Sequence, residues 1–139
     1  RNCDWSSDVC SSDLLYLPQA KMYYGSCALG PIIKPIWQIK NLSGLKISAQ
    51  ITRGKQIVWQ AQTSLAALNR KFEELVEFLF RCQSFPNGAI LSTGTGIVPP
   101  MDISLLPDDV VTIEVEEIGL LTNKVAQIPL DINERLSAK

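Results

Sequence analysis

Between residues 45 and 52 apolar and polar side chains alternate strictly, with Leu45, Ile47, Ala49 and Ile51 on one side and Lys46, Ser48, Gln50 and Thr52 on the other. A period of two predicts a half-buried β-strand. Arg53, Gly54 and Lys55 supply a tight turn, and residues 56–62 return with Ile57, Val58 and Trp59, so the pair reads as a hairpin. The period then changes. Phe72, Leu75, Val76, Leu79 and Phe80 recur at helical spacing, while Arg70, Lys71, Glu73, Glu74 and Glu77 take the other face. This pattern predicts one amphipathic helix over residues 69–82, capped by Asn69 and stopped before the turn signal Phe85-Pro86-Asn87-Gly88.

Residues 89–92 read as a short apolar strand that runs into the Gly-rich loop Thr93-Gly94-Thr95-Gly96. After the turn Pro107-Asp108-Asp109, residues 110–116 alternate again, and residues 118–127 can return from Gly119 as another short strand. Residues 15–35 are loop-rich, broken by Pro18, Gly25, Gly30, Pro31 and Pro35, with room only for short strands around Tyr16 and Ile32. The fold class is α+β, mostly β, with one main helix and no internal repeat.

The first fourteen residues, RNCDWSSDVCSSDL, follow neither period. They are rich in Ser, Asp and Cys and lack the basic and apolar regions of a signal peptide. The run from Cys3 to Leu14 resembles the translation of a common sequencing adapter. Residues 1–14 are therefore expected to be an artefactual or disordered N-terminal segment, and residues 15–139 the C-terminal part of a longer catalytic domain. Cys3 and Cys10 complete no ligand set by themselves, and the other thiols, Cys27 and Cys82, are too few for a disulfide framework, which favours a reducing cytoplasm.

The whole chain has 139 residues, 13 Lys and Arg against 14 Asp and Glu, and no His. That is one small domain's worth of chain with a formal charge of -1, which gives no support for nucleic-acid binding or polybasic membrane attachment. The absence of His excludes Ser-His-Asp and Cys-His catalysis and His-based zinc sites within this polypeptide. Every apolar run is interrupted well short of the roughly 20 residues that span a bilayer.

Three constellations can carry chemistry. Lys21 stands ahead of the turn-rich segment Gly25-Ser26-Cys27-Ala28-Leu29-Gly30-Pro31. It is either a solvated surface lysine or an ammonium placed over a substrate carboxylate or enolate oxygen. In Ser92-Thr93-Gly94-Thr95-Gly96 a strand ends in alternating Thr and Gly, so the loop can offer backbone N-H groups and a hydroxyl to an anionic ligand, or be a simple turn. It lacks the Lys-Ser/Thr ending of a P-loop. Asp108, Asp109, Glu114, Glu116 and Glu117 form an acidic stretch in which paired carboxylates could bind a divalent cation. With Val111, Ile113 and Val115 on the opposite face, the stronger reading of Glu114 and Glu116 is a solvated strand face.

In this order, Lys21 with Gly30-Pro31, the strand pair, the helix, the Thr-Gly loop, Asp108-Asp109 and the strand leading to Glu117-Ile118-Gly119-Leu120-Leu121-Thr122-Asn123 resemble the C-terminal part of the fumarylacetoacetate hydrolase family. The wording of Leu17-Pro18-Gln19-Ala20-Lys21 and Thr93-Gly94-Thr95-Gly96-Ile97-Val98-Pro99 is closest to its sugar-acid branch, the 2-dehydro-3-deoxy-D-arabinonate dehydratase type. The resemblance implies an incomplete mixed β-sandwich roll. It implies a parent enzyme holding a divalent cation, usually Mg²⁺, that polarises a 2-oxo acid toward an enolate.

By the same resemblance Lys21 is the catalytic cation, Thr95 and Gly94 bind substrate, and the parent is a homodimer. The family's metal ligands lie before the Lys segment, so no metal ligand is assigned to this chain, and the chain alone is expected to be inactive. Asp108 stands where the family has Gly, which disfavours a left-handed backbone there, although Asp tolerates one better than most residues. A C-C bond hydrolase acting on acylpyruvates is the alternative chemistry. A non-catalytic β-rich binding or oligomerisation module is the alternative class.

Overall fold

The computed structural model describes residues 22, 23 and 25–127. Four antiparallel strands form one open sheet: β1 (Lys46–Arg53), β2 (Gln56–Ser64), β3 (Val110–Val115) and β4 (Gly119–Lys124), in spatial order β2-β1-β3-β4. The alternation read from residues 45–52 sets the register. Ile47, Ala49 and Ile51 lie opposite Thr63, Ala61 and Trp59 of β2 and opposite Val115, Ile113 and Val111 of β3. Directly opposed residues share a face, so this face is predominantly apolar. Ser48 and Gln50 meet Gln62, Gln60, Glu114 and Thr112 on the polar face.

The expected hairpin is present. Gly54-Lys55 connects Arg53 to Gln56, and Gly54 takes φ 61, a conformation that a residue with a Cβ adopts only at a cost. An irregularity at Ile51/Thr52 shifts the pairing, with Trp59 and then Ile57 opposite them, so Val58 is the extra residue of a bulge.

Two expected boundaries move. The helix α1 runs over Phe72–Phe80 rather than 69–82, and Asn69 is not its cap. A short 3-10 turn, Leu65–Ala67, precedes it, and both Leu68 and Lys71 are extended, which keeps Asn69 outside the first turn. Lys71 occupies the capping position without a side-chain hydrogen bond. Residues 89–92 form no strand, and neither does the segment around Ile32: neither joins the backbone ladder of the four-stranded sheet. The expected strand around Tyr16 and residues 1–14 lie outside the described residues.

The turn before β3 is built on a backbone feature that its sequence half disclosed. Asp109 N donates to Leu106 O at 3.1 Å, Pro107 takes the second position, and Asp108 at the third has φ 72. That is the pattern of a type II turn, whose third position favours Gly. Asp108 therefore adopts the left-handed conformation its side chain disfavours, held by Asp108 N to Val125 O at 2.9 Å and by an exposed ion pair with Lys124 at 2.6 Å. Asp108→Gly should relieve about 1 kcal/mol of backbone strain, less the small contribution of the surface pair. A thermal melt should show a midpoint raised by a few degrees, whereas Asp108→Ala should lower it.

The core is thin. Leu45, Ile51 and Ile97 are the buried hydrophobic residues among those described, and no residue of α1 is buried. Trp37 is 82% exposed and Ile33 is 92% exposed, far more than an apolar side chain of that size normally tolerates without a partner surface.

Candidate functional site

The loop 93–97 lies against the apolar face of the sheet. Ile97 is buried, and a Cβ added at Gly96 would come within 3.3 Å of Thr63 Oγ1, so the loop packs on β2 at a distance only Gly allows comfortably. Thr95 locks the local shape. Its Oγ1 donates to Ile97 O at 2.9 Å and accepts from Ile97 N at 3.1 Å, a turn closed by the side chain. Gly94 has φ 88 with open space around it.

Between this loop and the 3-10 turn after β2 lies a cavity of about 440 Å³. Thr93, Gly94, Thr95 and Gly96 line it together with Leu65, Leu68, Asn69 and Arg70. The backbone N-H groups of residues 93–96 have no partner among the described residues. Unpaired N-H groups beside a cavity are donors for a carboxylate or carbonyl oxygen. Thr95 can accept one further hydrogen bond as it stands, and it can donate to a ligand only by turning its hydroxyl away from Ile97 O. A second depression of about 480 Å³ sits on the polar face between Ser48, Gln50, Gln60 and Gln62.

Of the sequence-predicted site residues, Gly94 and Thr95 are brought to the cavity wall, while Lys21 lies outside the described residues. The acidic stretch is dispersed. Glu116 Oε2 accepts from Lys46 N at 3.3 Å, and Glu117 pairs with Lys34, whose Nζ donates to Glu117 O at 2.6 Å. Among the described residues no three His, Cys, Asp or Glu side chains are grouped to hold a metal ion. The described residues therefore bring together no carboxylate set that would hold a divalent cation by itself.

Asp109 has a role that the sequence did not reveal. Only 1% of it is exposed, and its carboxylate accepts from Arg53 Nε at 2.9 Å through Oδ1 and from Arg53 Nη2 at 2.9 Å through Oδ2. Leu106 N also donates to Oδ2 at 2.9 Å, and Arg53 reaches on to Ser104 O. This clamp ties the tip of the β1-β2 hairpin to the segment that follows the Thr-Gly loop. The Arg53 hydrogen bonds hold the Asp109 carboxyl below its ordinary range against the opposing effect of burial, helped by the Leu106 N-H. Arg53 and Asp109 are 56 positions apart, so no local spacing announces the pair.

Residues 3–126 match the family model described as fumarylacetoacetate (FAA) hydrolase C-terminal. The match begins inside the segment that composition sets apart. The chain is 40% identical over 123 residues to 2-dehydro-3-deoxy-D-arabinonate dehydratase of Saccharolobus solfataricus, covering 85% of this chain and 41% of that protein. It is 33% identical over 114 residues to a probable 2-keto-3-deoxyxylonate dehydratase of Haloferax volcanii, covering 82% of this chain and 39% of the relative. A solved structure of 2-keto-3-deoxy-D-arabinonate dehydratase complexed with magnesium and 2,5-dioxopentanoate superposes with a TM-score of 0.81 at 37% identity, over 86% of this chain and 43% of that one. The chain thus spans about two fifths of the length of the relatives it matches.

Proposed function

Because the chain belongs to the fumarylacetoacetate hydrolase family, we propose that it forms part of a divalent-metal-dependent lyase that removes water from a 2-dehydro-3-deoxy sugar acid such as 2-dehydro-3-deoxy-D-arabinonate. The observation that carries the reading is the cavity beside Gly94 and Thr95, whose backbone N-H groups have no partner among the described residues, in a chain 40% identical to a dehydratase of that acid. A small acid with a 2-oxo group and several hydroxyls suits such a site, because each of its oxygens needs a donor once it leaves water.

In this reading the N-H groups of the loop bind an oxygen of the substrate, and Thr95 keeps the loop in the conformation that presents them. Lys21 supplies a positive charge to the oxygen on which negative charge develops when a proton leaves the carbon next to the 2-oxo group. The hydroxyl on the following carbon then departs, and one water is lost. Mg²⁺ or another divalent cation would supply Lewis acidity, with ligands outside the described residues, so no step is assigned to this chain's carboxylates.

The parent is proposed to be a cytoplasmic homodimer. Cys27 and Cys82 are both free, in keeping with a reducing compartment, and no helix among the described residues is long and apolar enough to cross a membrane.

The test joins this chain to the portion of the Saccharolobus solfataricus relative that the match leaves uncovered, and assays a panel of 2-oxo-3-deoxy acids with Mg²⁺ and with EDTA. Turnover with Mg²⁺ that EDTA abolishes and Mg²⁺ restores is expected. Metal-independent turnover, or turnover of no 2-oxo acid, would overturn the reading.

A further inference from the structure

We propose that Arg70 is the carboxylate anchor of the cavity and the residue that makes it select acids over neutral carbonyl compounds; the proposal rests on the reading of the cavity as a 2-oxo acid site. Among the residues lining the cavity, Arg70 alone carries a titratable side chain. The rest of the lining offers apolar carbon from Ile47, Leu65 and Leu68 and neutral hydrogen-bonding groups. An anion that enters an apolar-walled cleft loses hydration and needs a fixed opposite charge in return. A guanidinium supplies that charge together with a planar fork that matches a carboxylate.

The side chain has donors to spare. Arg70 Nη1 donates to Glu74 Oε1 at 3.1 Å, one turn along, and its other N-H groups have no partner among the described residues. Glu74 is thus a positioning residue that limits the rotamers of Arg70 without occupying its fork. Arg70 lines the same cavity as Gly94 and Thr95, whose N-H groups have no partner among the described residues, so one bound acid meets both kinds of donor. This division of labour leaves Lys21 to the 2-oxo oxygen rather than to the carboxylate. Because the Arg70 side chain is 63% exposed, solvent screens the contact and the effect on affinity is moderate.

The contact is read on this chain by saturation-transfer-difference NMR, with pyruvate as the acid probe and methyl pyruvate as its neutral counterpart. Saturation of the pyruvate methyl group is expected in the wild type, weakened roughly tenfold in affinity by Arg70→Gln and only partly by Arg70→Lys. Methyl pyruvate should respond equally in all three, and circular dichroism should show each variant folded. Equal pyruvate saturation in wild type and Arg70→Gln would overturn the anchor, as would no pyruvate saturation in the wild type. Failure of the sugar-acid turnover assay alone would instead overturn the dehydratase reading, so the two ideas fail separately.

Discussion

Asp109→Asn is expected to lower the unfolding free energy by about 2 kcal/mol. The carboxylate is almost fully buried and accepts three hydrogen bonds at 2.9 Å, two from Arg53 and one from Leu106 N. An amide keeps one acceptor, turns an NH₂ toward the guanidinium and leaves a buried donor facing a donor. For a domain of this size the melting midpoint should fall by roughly 5–10 °C. Asp108→Asn at the neighbouring position makes the control, because its ion pair with Lys124 is on the surface, Asn tolerates the left-handed backbone as Asp does, and loss of such a pair usually changes stability by less than about 1 kcal/mol.

The same contact predicts an acid limb. The folded carboxyl is held below its unfolded value of about 3.9, so its stabilisation is fully present above that pH and is lost as pH falls through the lower folded value. Denaturation midpoints should therefore drop below about pH 4 in the wild type, and drop less steeply in Asp109→Asn. Equal stability of the two proteins at pH 7 would remove the clamp from the account.

Lys21→Met should reduce kcat/KM of the completed enzyme by about 10²–10³, the loss typical when one preorganised stabiliser of developing negative charge is removed. Lys21→Arg should recover only part of it, since a planar fork does not replace a compact ammonium. Thr95→Val should have a smaller effect. It keeps the shape of the side chain but loses both local hydrogen bonds to Ile97, so the loop N-H groups spread and KM rises before kcat falls. Steady-state kinetics on the three variants, at matched Mg²⁺, separates these outcomes. A wild-type rate for Lys21→Met would exclude Lys21 from the site.

What the sequence disclosed follows from what is local. Strands β1 to β4 were legible because alternation and turn residues sit within a few positions of one another, and the register then follows from keeping Ile47, Ala49 and Ile51 on the face of Val115, Ile113 and Val111. The helical face was legible from Phe72 to Phe80, but its start was not, because Asn69 belongs to the extended segment after the 3-10 turn Leu65–Ala67. Residues 89–92 have the composition of a strand but join no strand of the sheet, a fact that lies in the tertiary arrangement.

The loop 93–96 was recognisable as a turn from its own Thr and Gly residues. The rest of the cavity lining was not. Arg70 reads as one more charge on the polar side of a helix until the fold places it in the same lining as Gly94. The Arg53-Asp109 clamp is likewise invisible in any window, since the turn that carries Asp109 pairs with a hairpin tip far earlier in the chain.

The exposed Trp37, Ile33, Ile36 and Leu29 fit the same picture of a chain that spans only part of the length of its relatives. Apolar side chains at that exposure lower the solubility of an isolated domain and favour association.

The central claim is that this chain contributes to a dehydration of a 2-oxo-3-deoxy sugar acid. Product analysis of the completed enzyme tests it most directly: uniformly ¹³C-labelled 2-dehydro-3-deoxy-D-arabinonate is incubated with enzyme and Mg²⁺, and the carbon spectrum is recorded. One product that keeps all the substrate's carbons and has lost a single water is the predicted result. Two shorter fragments would assign a C-C bond hydrolase instead, and unchanged substrate would contradict the enzymatic account altogether.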